Sequence, residues 1–190
     1  MKRFTLTLLL TAAIFSSVNL FAQSNSYLKN RIMLEGVYKR NIGNFGEIWD
    51  NAAGAFISYG IAFPVHNMLI FRSGLISNNL RDGVDYPDAS SIIIPLNIGG
   101  RYYFNDDRIM FFFSFMNGFN IVFENTNLEG VKRDRTLFRY AWEVGAGLSI
   151  NVVSNLVFDV SANYNSHFYQ TDAMMTGFAY NFGLGWAFSN

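Results

Sequence analysis

Residues 177–188, GFAYNFGLGWAF, alternate strictly between bulky and small side chains. The bulky positions are Phe178, Tyr180, Phe182, Leu184, Trp186 and Phe188. The positions between them are Gly177, Ala179, Asn181, Gly183, Gly185 and Ala187. Because alternate side chains of a β-strand point to opposite faces, this pattern predicts a strand with one bulky apolar face and one crowded face that admits little side chain.

The composition indicates that such apolar faces are not buried in an ordinary water-soluble core. Charged residues make up only 15% of the chain, against about 25% in a typical soluble domain. After residue 22, no uninterrupted run of about 18 apolar residues occurs, so a transmembrane helix is not expected. The most apolar segment, 109–123, is broken by Ser114, Asn117, Gly118 and Asn120 and is rich in strand-favouring Phe and Ile.

The N-terminus is typical of an export signal. Lys2 and Arg3 precede an apolar core at 4–15, and we place cleavage near Ala22, so that residues 1–22 form the signal peptide and 23–190 one mature domain. The chain has no Cys, which excludes a lipid-modified N-terminal cysteine and a disulfide framework. Removal of the signal leaves 12 basic and 14 acidic residues, a balance that does not suggest nucleic acid as a partner.

Period-two alternation recurs along the mature chain, and the 3.6-residue period of helices does not. It predicts eight strands, at Arg31–Asn41, Ala53–Pro64, Met68–Asn79, Ser91–Phe104, Arg108–Val122, Leu137–Ile150, Leu156–Asn165 and Met174–Phe188. Each is near or above the roughly 9–11 residues that a tilted strand needs to cross a bilayer.

The connections between these strands alternate in length. Tight turns at 65–67, 105–107 and 151–155 follow the second, fourth and sixth strands. Longer polar loops follow the odd-numbered strands, at 42–52, 80–90, 123–136 and 166–173. An even number of strands with short turns on one side and long loops on the other predicts an all-β, eight-stranded antiparallel up-and-down transmembrane β-barrel, with the long loops extracellular.

The two faces of the predicted strands differ in chemistry. Charged residues collect on the faces assigned to the lumen: Glu35, Lys39, Arg72, Arg101, Arg139, Glu143 and Asp159. Aromatic residues near strand ends are assigned to lipid-facing belts: Phe63, Tyr102, Phe104, Phe138, Tyr140, Phe178, Tyr180, Trp186 and Phe188. Since a small barrel encloses little more than its own side chains, we expect the charges to form a compensating network across the lumen.

Two strands depart from the simple pattern. Pro95 lies inside the fourth strand, where it cannot donate a ladder hydrogen bond, so we expect a bulge there or the extracellular extension of the strand. The fifth strand is apolar on both faces, so the pattern does not assign its register.

In these features the mature chain resembles the small eight-stranded outer-membrane barrels of the OmpA/OmpX type. The likeness rests on the strand pattern, and the chain departs from it in ending WAFSN rather than on an aromatic residue. The resemblance implies an outer-membrane location, contact with outer-membrane lipid and lipopolysaccharide, and insertion by the barrel-assembly machinery. It also implies an extracellular ligand bound through the loops 42–52, 80–90, 123–136 and 166–173.

The residues predict a structural or surface-interaction role without enzymatic activity, cofactor or open pore. His66 falls in a short turn and is expected to be solvated. His167, beside Ser166 and near Asp172, falls at the predicted extracellular rim, where such groups can perform acyl transfer on lipid. A lipid A-modifying enzyme using these residues is therefore one alternative, although adjacent strand residues point to opposite faces. A narrow channel through the charged lumen is the other.

Overall fold

The computed structural model describes residues 28–82, 89–128, 131–170 and 173–188. The predicted signal peptide lies outside these residues. Within them, eight antiparallel strands and one short helix are seen: β1 (Asn30–Ile42), α1 (Gly43–Ile48), β2 (Ala52–Phe63), β3 (Asn67–Asn79), β4 (Ala89–Tyr103), β5 (Ile109–Leu128), β6 (Val131–Val153), β7 (Leu156–Gln170) and β8 (Ala173–Phe188). No helix in the described ranges is long and apolar enough to cross a membrane.

Each strand pairs with the next one in sequence, and β8 returns to pair with β1, so that the sheet closes. The closing ladder runs from Asn30–Phe188 to Ile42–Thr176 without a change of register. Closure gives every strand a hydrogen-bonded neighbour on both sides, as a β-structure surrounded by lipid requires. The predicted fold class, an eight-stranded up-and-down barrel, is confirmed.

Side chains alternate across the barrel wall. On β8 the residues from Phe178 to Trp186 in steps of two are exposed, whereas those between them are buried in the lumen. The same alternation resolves β5, whose two apolar faces the sequence did not distinguish. Phe111, Phe113 and Phe115 point outward, and their neighbours point inward and are buried.

The sequence predicted a loop at 123–136, and this prediction is wrong. The ladder between β5 and β6 continues to Leu128–Val131, so this segment is an extended β-hairpin. The prediction ended the strands where hydrophobicity ends. Backbone pairing continues further because polar side chains on both faces are compatible with a strand once it leaves the bilayer.

Two other predicted loops also contain regular structure. Within 166–173, β7 and β8 stay paired from Ser166–Thr176 to Gln170–Ala173, with one irregularity after Phe168. Within 42–52, α1 turns over one end of the barrel, and Trp49 beyond it forms an isolated bridge with Leu80. We call this the α1 end, and the opposite end, with connections at 64–66, 104–108 and 154–155, the short-turn end.

The predicted bulge at Pro95 is absent, and Pro95 lies near the middle of β4. Pairing between β3 and β4 stops at Ser73–Leu96 and resumes at Ile76–Ile93 in the same register. The missing N–H of proline therefore interrupts the ladder locally without inserting a residue.

Candidate functional site

The lumen contains a layer of paired charges. Near the short-turn end, the Asp159 carboxylate accepts from Arg101 and, at 3.4 Å, from Nη1 of Arg31. The same Arg31 nitrogen donates to Oγ of Ser149 at 2.8 Å. Rings cover both guanidinium groups, Phe112 at 4.2 Å from Arg101 and Tyr103 at 5.5 Å from Arg31. One acid thus compensates two buried cations that also receive aromatic contacts.

A second ion pair crosses the lumen further along. Nη2 of Arg72 on β3 lies 2.8 Å from Oε1 of Glu143 on β6. The guanidinium of Arg72 also stacks 4.6 Å from the Phe56 ring. Glu35 accepts a hydrogen bond of 2.5 Å from the Ser58 hydroxyl. Such contacts reduce the cost of holding charges away from bulk water.

The third polar group contains His167, which the sequence placed at the extracellular rim. The structure corrects this placement: His167 points into the barrel and is only 6% exposed. Its Nε2 lies 3.3 Å from Nζ of Lys39, and its Nδ1 contacts the side-chain amide of Asn120. The reason is that β7 continues beyond the predicted end at Asn165, so residue 167 keeps the inward position of residues 163 and 165.

Ser166 is not brought to His167. The two residues are neighbours on β7 and point to opposite faces of the wall. Ser166 is fully buried, opposite Trp142 on β6 and Thr176 on β8. Asp172 lies outside the described residues. The arrangement that acyl transfer needs, a hydroxyl held against an imidazole, is therefore not formed by this pair.

Two apolar clusters lie on either side of the polar layer. The cluster at the α1 end comprises Val37, Phe45, Trp49, Ala52, Phe56, Ile76, Ile93, Val122, Met175 and Ala179. The cluster at the short-turn end comprises Leu28, Met68, Ile70, Tyr103, Met110, Phe112 and Met116. Along β3, Arg72 falls between Ile70 of one cluster and Ile76 of the other.

The α1 end is closed by the connection between β1 and β2. Phe45 of α1 and Trp49 are buried in the barrel mouth, with ring centroids 5.8 Å apart. Asn41 holds the returning chain through a 2.6 Å bond from its amide to the Asp50 carbonyl. Below this plug, the cavity beside Lys39 and the Arg72–Glu143 pair measures about 20 Å³, room for about one water molecule.

The predicted lumen charges lie inside the barrel, with one of them only half-buried. Six of the predicted lumen charges are buried: Glu35, Lys39, Arg72, Arg101, Glu143 and Asp159. Arg139 is half-buried on β6. Sequence reasoning missed Arg31, although its spacing of four residues from Glu35 on β1 gives it the same inward face.

The predicted belt residues stand on the outer face. Eight of them are exposed: Phe63, Tyr102, Phe104, Phe138, Tyr140, Phe178, Tyr180 and Trp186. Phe188 is half-buried and stacks on Tyr59 at 6.4 Å. Their role at the membrane interfaces stays a prediction. His66 lies half-buried in the turn between β2 and β3, where its φ of 63° is left-handed.

No metal-binding cluster of His, Cys, Asp or Glu occurs in the described parts of the chain.

No protein-family model and no curated protein matches this sequence. Solved structures do match. Ail, the attachment invasion locus protein of Yersinia pestis, has 18% identity and a TM-score of 0.61, over 84% of this chain and 98% of Ail. Neisserial surface protein A has 13% identity and a TM-score of 0.56, over 84% and 97%. OprG, an outer membrane protein from Pseudomonas aeruginosa, has 10% identity and a TM-score of 0.56, over 85% and 97%.

At these identities the likeness concerns the fold. It extends over nearly the whole length of each of the three proteins and agrees with the closed sheet described above. The resemblance inferred from the strand pattern is confirmed: this chain has the fold of the small eight-stranded outer-membrane β-barrel proteins.

Proposed function

We propose that the chain is an integral outer-membrane protein without an open pore, and that it acts as a structural or surface-interaction protein through the elements at its α1 end. The single observation that carries this proposal is the filled lumen, in which paired charges lie between two apolar clusters. A filled lumen supports a role in which the barrel holds surface elements in place, rather than one in which solutes pass through it.

The α1 end supplies the surface for such a role. It carries α1, the 80–90 connection and the β5–β6 hairpin, which continues to Leu128–Val131. Two proteins of the same fold are named for attachment or for the cell surface, Ail and Neisserial surface protein A. Ail has also been solved with the heparin analogue sucrose octasulfate, so a barrel of this fold can bind an anionic ligand.

No specific observation favours the two alternative functions. Ser166 and His167 are separated by the barrel wall, and His167 is enclosed with Lys39 and Asn120. Four of the charged groups that a channel would use form ion pairs across the lumen, Arg72 with Glu143 and Arg101 with Asp159. We therefore propose neither lipid A modification nor conduction.

Cysteine labelling tests the location and orientation. The chain has no native cysteine, so Ser90→Cys at the α1 end and Ser154→Cys at the short-turn end each create a single exposed thiol. In intact cells, a membrane-impermeant maleimide is expected to label the Ser90 variant, and to label the Ser154 variant only after the outer membrane is permeabilised. The reverse pattern, or recovery of the protein in the soluble periplasmic fraction, contradicts the proposal.

A further inference from the structure

A groove of about 690 Å³ lies outside the barrel mouth, where α1 and the connections around it meet the ends of β1 and β8. Its lining includes Tyr38, Arg40, Glu47, Trp49, Arg81 and Tyr180. The polar layer of the lumen does not include these side chains. Trp49 is buried in the plug, and the other five side chains are exposed at the α1 end, which the proposed function assigns to the cell exterior.

The floor of the groove is aromatic. Tyr38 of β1 and Tyr180 of β8 are direct cross-strand partners, and both are exposed on the outer face. Tyrosine in this position is typical of the membrane–water interface, where the ring contacts lipid and the hydroxyl reaches water. On the predicted assignment of Tyr180 to an interfacial belt, the floor lies at the level where acyl chains give way to headgroups.

Arg40 stands directly above this floor. It is exposed on the same face of β1 as Tyr38, two residues or about 7 Å further along the strand. Its partner across the ladder is Phe178, another exposed aromatic residue. The guanidinium group of Arg40 therefore lies beyond the tyrosine floor, beside an exposed aromatic residue.

Arg81 adds a second guanidinium from the connection after β3. Its Nη1 donates to the carbonyl oxygen of Gly46 at 2.9 Å, and its backbone N–H donates to Ile48, so the side chain is held against α1. A guanidinium has five N–H donors, so this one bond leaves donors for a ligand. Glu47 contributes a carboxylate, which accepts hydrogen bonds from hydroxyl groups.

We propose that this groove binds the phosphorylated sugar headgroup of an outer-leaflet glycolipid. The two arginines would hold the phosphate, since a guanidinium matches phosphate oxygens with paired hydrogen bonds. Glu47 would accept from a sugar hydroxyl, and the tyrosines would contact the apolar portion of the lipid. The proposal rests on the proposed function, because it requires the α1 end to face the outer leaflet.

Native mass spectrometry of the folded full-length mature chain in detergent tests this site. The protein is titrated with diphosphoryl lipid A and, separately, with dephosphorylated lipid A. We expect the diphosphoryl form to bind at least about tenfold more tightly, and Arg40→Gln to remove about tenfold of that affinity, as the loss of a charge-assisted hydrogen bond predicts. Arg40→Lys, which keeps the charge, is expected to bind better than Arg40→Gln.

Arg135→Gln is the matched control, because Arg135 is an exposed arginine on the β6 arm of the hairpin, outside the groove. It should bind lipid A like the wild type. Equal binding of both lipid forms, or equal affinity of the Arg40→Gln and Arg135→Gln variants, overturns the proposal. Complete competition by millimolar inorganic phosphate overturns the lipid assignment in favour of a free anion. If Ser90→Cys is labelled from outside but both forms of lipid A bind equally, the proposed function stands and only the lipid-binding inference fails.

Discussion

At the scale of single residues, the face on which a β8 side chain lies decides which substitutions the barrel tolerates. Leu184 is 54% exposed on the outer face, between the predicted belt residues Tyr180 and Trp186, and Asn181 is buried on the lumen face. We expect Leu184→Arg to lower the free energy of unfolding by roughly 2–4 kcal/mol, the cost of arginine near the bilayer midplane. Asn181→Ser, which keeps a small polar group in the lumen, should have much less effect.

The measurement is a urea titration of each variant folded into lipid vesicles. If the two substitutions shift the unfolding midpoint equally, the assignment of β8 faces to lipid and lumen is wrong.

The Arg72–Glu143 pair leads to a second residue-scale prediction. Glu143→Ala leaves the Arg72 guanidinium buried without its carboxylate, a loss of roughly 3–5 kcal/mol when burial is complete. Removing both partners abolishes the unpaired charge, so the Arg72→Ala, Glu143→Ala double variant should be less destabilised than the sum of the single variants. The same urea titration gives the coupling energy, and strict additivity would show that the pair contributes no mutual stabilisation.

At the scale of elements, β4 and β5 approach so closely that one of two adjacent glycines leaves no room for a side chain. A Cβ at Gly99, on the lumen face, would lie 2.6 Å from Cα of Met116 and overlap the Phe115 carbonyl. A Cβ at Gly100, on the outer face, would lie 3.7 Å from the nearest atom, the Met68 carbonyl oxygen.

We therefore expect Gly99→Ala to destabilise the barrel by about 1–3 kcal/mol through overpacking, and Gly100→Ala to change little. Folding yield into vesicles, followed by the mobility of unheated samples in gel electrophoresis, compares the two variants. A normal yield for Gly99→Ala would mean that β4 and β5 lie further apart in the bilayer than in this structure.

The strand elements also show how far sequence reasoning extends. Alternation assigned the two faces of β6 correctly, because lipid outside and a crowded lumen inside impose opposite demands on successive residues. It placed the strand at 137–150, whereas β6 runs from Val131 to Val153. Apolar alternation ends where the strands leave the bilayer, but the hydrogen bonds between β5 and β6 continue beyond that point. No sequence pattern therefore marked the outer part of the hairpin.

The same reasoning could not single out which inward residues contact each other across the lumen. Arg72 on β3 meets Glu143 on β6, which is three strands away. Which inward residues meet depends on the stagger of all the strands around the barrel, and no local pattern encodes that stagger. His167 illustrates the consequence, since misplacing the end of β7 turned a lumen residue into a candidate rim residue.

At the scale of the whole molecule, the lumen has obstructions in series. The plug of Phe45 and Trp49 occupies the mouth at the α1 end, and the polar layer and the second apolar cluster lie beneath it. Opening one obstruction should therefore leave the others in place. Such an arrangement is expected of a filled barrel rather than of a channel with a single gate.

Conductance measurements test that distinction. In planar bilayers, we expect the wild-type protein to show no steady single-channel conductance, because each layer excludes a continuous column of water. The Phe45→Ala, Trp49→Ala double variant removes both rings of the plug and should be less stable by several kcal/mol, given that each buried aromatic truncation costs about 3–5 kcal/mol. It should nevertheless remain non-conducting, since the Arg72–Glu143 and Arg101–Asp159 pairs still span the lumen. Steady conductance steps in this variant would identify the plug as a gate, and steps in the wild type would reject the filled-barrel assignment altogether.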